Sequence, residues 1–162
     1  MSRPLLLLAA LLLSFQPGHS EEFPGADWVE TPSPLASEFA EPGGKISMFA
    51  SQYPQSFNYL IHNNLFAREF FRMMFMRLVD ADPVTLELVP SLANRWTVGE
   101  DKKTFTFHLD ERAVWSDGVP ITSDDVIWTY EALTNPDHLT GSFQVLLSRI
   151  TSCEAIDERT VV

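Results

Sequence analysis

The chain has 162 residues, 11 of them Lys or Arg and 22 Asp or Glu, so its net charge at pH 7 is −11. An apolar fraction of 45%, with 12% aromatics, belongs to a globular chain rather than a disordered one. The acidic balance argues against phosphate-directed binding to nucleic acid or anionic lipid, and a single cysteine excludes an internal disulfide and a thiolate zinc cluster.

Residues 1–20 have the layout of an export signal. Arg3 supplies the basic start, residues 5–13 are apolar without a break, and small residues at Gly18 and Ser20 flank a cut before Glu21. The apolar run is too short to cross about 30 Å of hydrocarbon as a helix. The only cysteine is Cys153, far from the cut, so no lipid anchor is expected on the mature amino terminus and the product should be free in an exported, aqueous compartment. Cys153 itself reads as a small apolar packing residue rather than a reactive thiol.

Residues 21–44 contain six acids, no base, and Pro24, Pro32, Pro34 and Pro42, which predicts an extended, mobile lead. Ordered structure is expected after Gly43-Gly44, beginning with a short strand over residues 45–51 that Tyr53-Pro54 ends. From residue 65 to 79 the apolar side chains Leu65, Phe66, Phe70, Phe71, Met74, Phe75, Leu78 and Val79 recur three and four apart, predicting a core helix stopped by Asp80-Ala81-Asp82-Pro83. Arg68, Arg72 and Arg77 make it a poor membrane span.

A hairpin follows, with Trp96-Thr97-Val98 and residues 104–109 bracketing a polar turn. In its second strand Phe105, Phe107 and Leu109 share one face, and Thr104, Thr106 and His108 the wetter one. Trp115-Ser116-Asp117-Gly118 reads as a turn. Thr122 then caps a helix whose apolar face is Val126, Ile127, Tyr130 and Leu133, closed by Asn135-Pro136. Residues 150–162 predict a strand, a turn at Asp157-Glu158-Arg159, and a second strand that opens at Thr160, so the chain is expected to be incomplete as a domain.

The candidates for chemistry are few. No HExxH, HxH or CxxC spacing occurs, so neither a metal nor any other cofactor is expected. Asp117, Asp124 and Asp125 form an acidic group that an exported hydrolase would use for proton transfer. The simpler assignment gives Asp117 to the turn and the other two to the positive end of a helix. Ser116 lacks the GxSxG context of a nucleophile, and no catalytic residue is assigned.

Three ordered blocks carry a resemblance. They are Pro90-Ser91-Leu92-Ala93-Asn94-Arg95-Trp96, then Thr104-Phe105-Thr106-Phe107-His108-Leu109, then Asp117-Gly118-Val119-Pro120-Ile121-Thr122-Ser123-Asp124-Asp125-Val126. In this order and spacing the chain resembles, over residues 43–162, the family 5 extracellular solute-binding proteins of peptide and oligopeptide ABC importers. It departs at Asp110, where the family commonly has a basic residue, and at Val114-Trp115-Ser116, where the family reads K-F-x.

The resemblance implies an α/β chain, the partial first lobe of a two-lobed periplasmic-binding-protein-like (type II) fold with a mixed sheet and flanking helices. It implies three regions: residues 1–20 as signal peptide, 21–44 as acidic flexible lead, and 45–162 as the incomplete amino-terminal part of a solute-binding lobe. The implied function is capture of a peptide or similar solute outside the inner membrane for delivery to permease subunits, with ligand held as two lobes close. In that role the protein would be no enzyme, no nucleic-acid binder, and not transmembrane once the signal is removed. Ser51, Gln52 and Tyr53, where the chain leaves the first expected strand, are the candidate ligand-facing residues. The alternative is a truncated, non-functional remnant of such a protein.

Overall fold

The computed structural model describes residues 20–31, 35–37, 39–41, 43–47, 49, 56–58, 60 and 64–162. All but Ser20 of the expected signal segment lies outside the described residues. Ten elements follow in chain order: β1 (Glu21–Phe23), α1 (Leu65–Met74), β2 (Val79–Ala81), β3 (Leu88–Pro90), β4 (Ala93–Val98), β5 (Phe105–Leu109), α2 (Ser123–Thr134), α3 (Gly141–Leu147), β6 (Ala155–Asp157) and β7 (Thr160–Val161). Five strands form one sheet in the order β1-β4-β5-β7-β6, and β2 pairs with β3 in a second. The resemblance implies a mixed sheet, but every pairing in the described residues is antiparallel. Tight turns join β4 to β5 and β6 to β7, and a tight turn can only reverse the chain.

The hairpin forms as its alternation predicts. Trp96 lies opposite Phe107 and Thr97 opposite Thr106, and Phe107 is in turn opposite Val161. Directly opposed residues share a face, so Trp96, Phe107 and Val161 make an apolar row. Trp96 and Val161 are buried, together with Ala93, Leu109, Ile121, Ala132 and Leu133. Helix α2 packs on β6 and β7 and closes this core. The Asp125 carboxylate accepts from the Thr122 amide at 2.8 Å and from Thr122 Oγ1 at 3.2 Å, which starts α2 where the acidic cap predicts.

Three expectations are corrected. First, the helix over residues 65–79 ends at Met74, and Val79 enters β2. The carbonyls of Arg77 and Leu78 accept from Leu92 at 2.9 Å and Ala93 at 2.8 Å. These pairings need extended backbone, so tertiary hydrogen bonds override the local period. The helix also buries only Ala67 and Phe71, while Leu65, Phe70, Met74 and Phe75 are exposed, so it is not the core helix its apolar stripe predicts.

Second, no strand forms at Lys45, Ile46, Ser47 or Phe49, where Ile46 is 88% and Phe49 94% exposed. Without a neighbour to complete its ladder an alternating segment has no reason to stay extended. The other positions of that segment lie outside the described residues. Third, ordered structure starts upstream of Gly43-Gly44, since Glu21–Phe23 pairs with β4. Helix α3 also forms without a sequence signal strong enough to predict it. Its residues are all part-exposed or exposed, and Thr140 Oγ1 and Gln144 Nε2 dock it by donating to the Leu133 and Asn135 carbonyls at 2.8 and 2.7 Å.

Candidate functional site

Ser51, Gln52 and Tyr53 lie outside the described residues. What the structure places instead is a polar face on the five-stranded sheet. Arg95 stands opposite His108, His108 opposite Thr160, and Thr160 opposite Asp157. This cross-strand row runs over β4, β5, β7 and β6 on the face away from Trp96 and Phe107. It lines a cleft of about 800 Å³, to which Asp110 and Arg112 add charge at one end.

Most of the polar groups here are already engaged. Arg112 grips Asp110 through Nε at 3.0 Å and Nη2 at 2.7 Å, which holds the Asp110 carboxyl below its ordinary 3.8 and raises the guanidinium in return. The Asp157 carboxylate accepts from the Arg159 amide at 2.8 Å, the main cause of its lowered pKa, with Thr160 and the nearby His108 adding to it. Arg159 Nη1 turns inward and donates to the carbonyls of Asp110 at 3.1 Å and Ile121 at 2.9 Å. Arg95 enters none of the ion pairs found among the described residues.

His108 Nδ1 and Thr160 Oγ1 are 3.3 Å apart, a contact that resembles a base and its nucleophile. Thr160 is buried, so its hydroxyl is not offered to a substrate. The pair joins two strands. The remaining groups offer hydrogen bonds and charge to a polar solute.

The acidic group considered for catalysis does not assemble into a proton-transfer site. The Asp117 carboxylate accepts from the Val119 amide at 3.0 Å inside the turn, and Asp125 holds the start of α2. Asp124 is exposed in the first helical turn. Among the described residues no three His, Cys, Asp or Glu side chains are grouped to hold a metal ion. No described helix is long and apolar enough to cross a membrane. Sequence alternation found the wet face of β5, but the row through Arg95, Thr160 and Asp157 needed the strand register, which no local pattern contains.

An antiparallel sheet with α2 packed on β6 and β7, and α3 docked on the end of α2, is a piece of the periplasmic-binding-protein fold. The chain superposes on AgaA of Agrobacterium tumefaciens R10, solved with agropinic acid, with a TM-score of 0.61 and 31% identity, covering 67% of this chain and 22% of that one. It superposes on Haemophilus influenzae OppA, solved with the peptide RPPGFSPFR, with a TM-score of 0.55 and 26% identity, covering 67% of this chain and 24% of that one.

Residues 87–162, from the entry to β3 to the end of β7, match the family described as bacterial extracellular solute-binding proteins, family 5 Middle. Among curated relatives, the dipeptide-binding protein of Escherichia coli K12 is 32% identical, over 54% of this chain and 19% of its own length. The periplasmic oligopeptide-binding protein OppA of Salmonella typhimurium is 34% identical, over 44% of this chain and 12% of its own. The chain thus spans less than a fifth of these relatives. They are named as binding proteins rather than enzymes, and members of the family are periplasmic.

Proposed function

We propose that this chain is part of the substrate-binding component of an ABC importer that captures peptides or a similar solute outside the inner membrane. The observation that carries this reading is the family 5 match over residues 87–162, joined to a superposition on a peptide-bound OppA over two thirds of the chain. Export by a cleaved signal over residues 1–20, with no lipid-anchored cysteine, brings the product to that compartment. The partners are the permease subunits of the importer. Ligand is held by differential affinity for a closed state, and backbone hydrogen bonds to an extended peptide give tolerance of its sequence. Ser51, Gln52 and Tyr53 are the residues proposed to face it.

Uptake of a labelled tripeptide tests the reading. Cells that lack the protein carrying this chain should take the peptide up several-fold more slowly, and restoring it should restore uptake. Replacing Tyr53 by Ala should weaken uptake without lowering the amount of protein. Equal uptake with and without the protein overturns the reading for peptides.

A further inference from the structure

Trp128, Glu131, Ala132 and Asn135 follow one another along α2 and its C-cap at helical spacing, so they share one face. With His138 from the segment beyond, they line a cavity of about 170 Å³ at the carboxyl-terminal end of the helix. Ala132 is buried, whereas Trp128 is 65% exposed, which leaves much of its indole open to a ligand. The cavity shares no lining residue with the Arg95–His108 cleft, and its chemistry is independent of the import reading.

Its lining is electron-rich on every count. Glu131 enters none of the ion pairs found among the described residues. No Lys or Arg lines the cavity, and the last turn of α2 carries no basic residue, so no side-chain charge opposes the negative end of the helix dipole there. His138 Nδ1 lies 2.8 Å from the Ala132 carbonyl oxygen. A carbonyl can only accept, so Nδ1 donates, and in the neutral ring Nε2 is left as an acceptor. An indole face attracts a cation through its quadrupole.

Two cation classes fit such a lining, and the donor set separates them. One carboxylate and one imidazole are too few for a metal ion, and no three metal-binding side chains are grouped among the described residues. An ammonium needs only an acceptor for its N–H and an aromatic face for its charge. The volume suits a headgroup rather than a drug-sized molecule.

We infer that this cavity binds an alkylammonium group, with the Trp128 indole against the cation and the Glu131 carboxylate accepting its N–H. Contacts at an exposed site are weak, so binding is in the millimolar range.

The test follows the Trp128 indole and Asn135 amide resonances of the full chain by NMR at pH 7, where both probes are mainly cationic. Nα-acetyl-lysine amide carries only a side-chain ammonium, and alanine amide only a terminal one. Nα-acetyl-alanine amide and sodium chloride at equal ionic strength are the blanks. At least one charged probe should shift both resonances to saturation, and neither blank should. Which probe does so distinguishes lysine side chains from peptide amino termini as the source of the group. Glu131→Gln and Trp128→Leu replace exposed side chains, and each should weaken binding several-fold with the far-UV circular dichroism unchanged. The Asn135 amide reads the second variant. Should a variant lose the fold, the wild-type titrations with charged and neutral probes still decide. No saturable shift with either charged probe, or undiminished binding in either folded variant, overturns the inference.

Discussion

Ser123 Oγ donates to the carbonyl oxygen of Asp157 at 2.6 Å, tying the first turn of α2 to the end of β6. Ser123 is 2% exposed and its amide also donates to the Glu158 carbonyl at 2.9 Å, so the helix start and the β6–β7 turn are joined twice. Replacing Ser123 by Ala removes one bond and leaves the Asp157 carbonyl short of a buried donor. The expected loss is about 1–2 kcal/mol. A urea melt should show a lower midpoint with an unchanged slope.

Arg159 should matter more. Its Nη1 serves the carbonyls of Asp110 and Ile121, which lie 11 residues apart in sequence. Arg159→Met keeps much of the packing but orphans both acceptors, at about 2–3 kcal/mol since the donor is charged. Arg159→Lys keeps the charge and loses the planar fork, so it should recover less than half of the loss in the same melt.

The β4–β5 turn should carry a pH signature. Asp101 accepts from Thr104 Oγ1 at 2.6 Å and from the Lys103 and Thr104 amides at 2.9 Å each. The Thr104 hydroxyl is the leading cause that lowers its pKa from the ordinary 3.8 to about 2. A depressed carboxyl stabilises the fold above its unfolded value and loses that contribution as pH falls through the folded one. The stability gap between wild type and Asp101→Asn should therefore be full at neutral pH and close between about 4 and 2. Carboxyl carbon NMR of Asp101 reads the titration directly.

Cys153 is half-buried, and burial, with the Glu131 carboxylate adding to it, raises its thiol above the ordinary 9.0. Only the thiolate is nucleophilic, so iodoacetamide at pH 8 should alkylate folded Cys153 more slowly than free cysteine. The difference should vanish in 6 M guanidinium, about the level that unfolds even very stable domains. Equal rates in the folded protein contradict the expectation.

Gly118 has φ of +88° and donates its amide to the Trp115 carbonyl at 2.9 Å. A Cβ there meets nothing within 4 Å, so the cost of Gly118→Ala is the left-handed backbone alone. That is about 1–2 kcal/mol. Gly118→Asn should cost less, because Asn tolerates this region, and thermal melts of the two variants give the order.

Much of the carboxyl-terminal half was legible because its instructions are local. The alternation of Phe105, Phe107 and Leu109 sets a strand period, Gly99 to Lys103 set the reversal, and Thr122 with Asp125 set a helix start within four residues. Between residues 65 and 81 the same logic failed. The apolar period there continues through Leu78 and Val79, but the backbone of Arg77 and Leu78 is claimed by Leu92 and Ala93 from another part of the chain. The candidate site divides the same way. His108 was placed on the wet face from alternation, whereas its neighbours Arg95 and Thr160 come from register between distant strands.

By itself the sequence determined the hairpin, the capped helix, the closing β6–β7 turn and the similarity to family 5 over residues 87–162, since each rests on residues within a turn or two of one another or on an ordered series of such blocks. Tertiary structure alone decided where α1 stops, that Glu21–Phe23 becomes a strand against Trp96, and that Arg95, His108, Thr160 and Asp157 form one row. The reason is physical. A strand is completed by hydrogen bonds to a partner, and the identity of that partner is a property of the whole chain rather than of the segment.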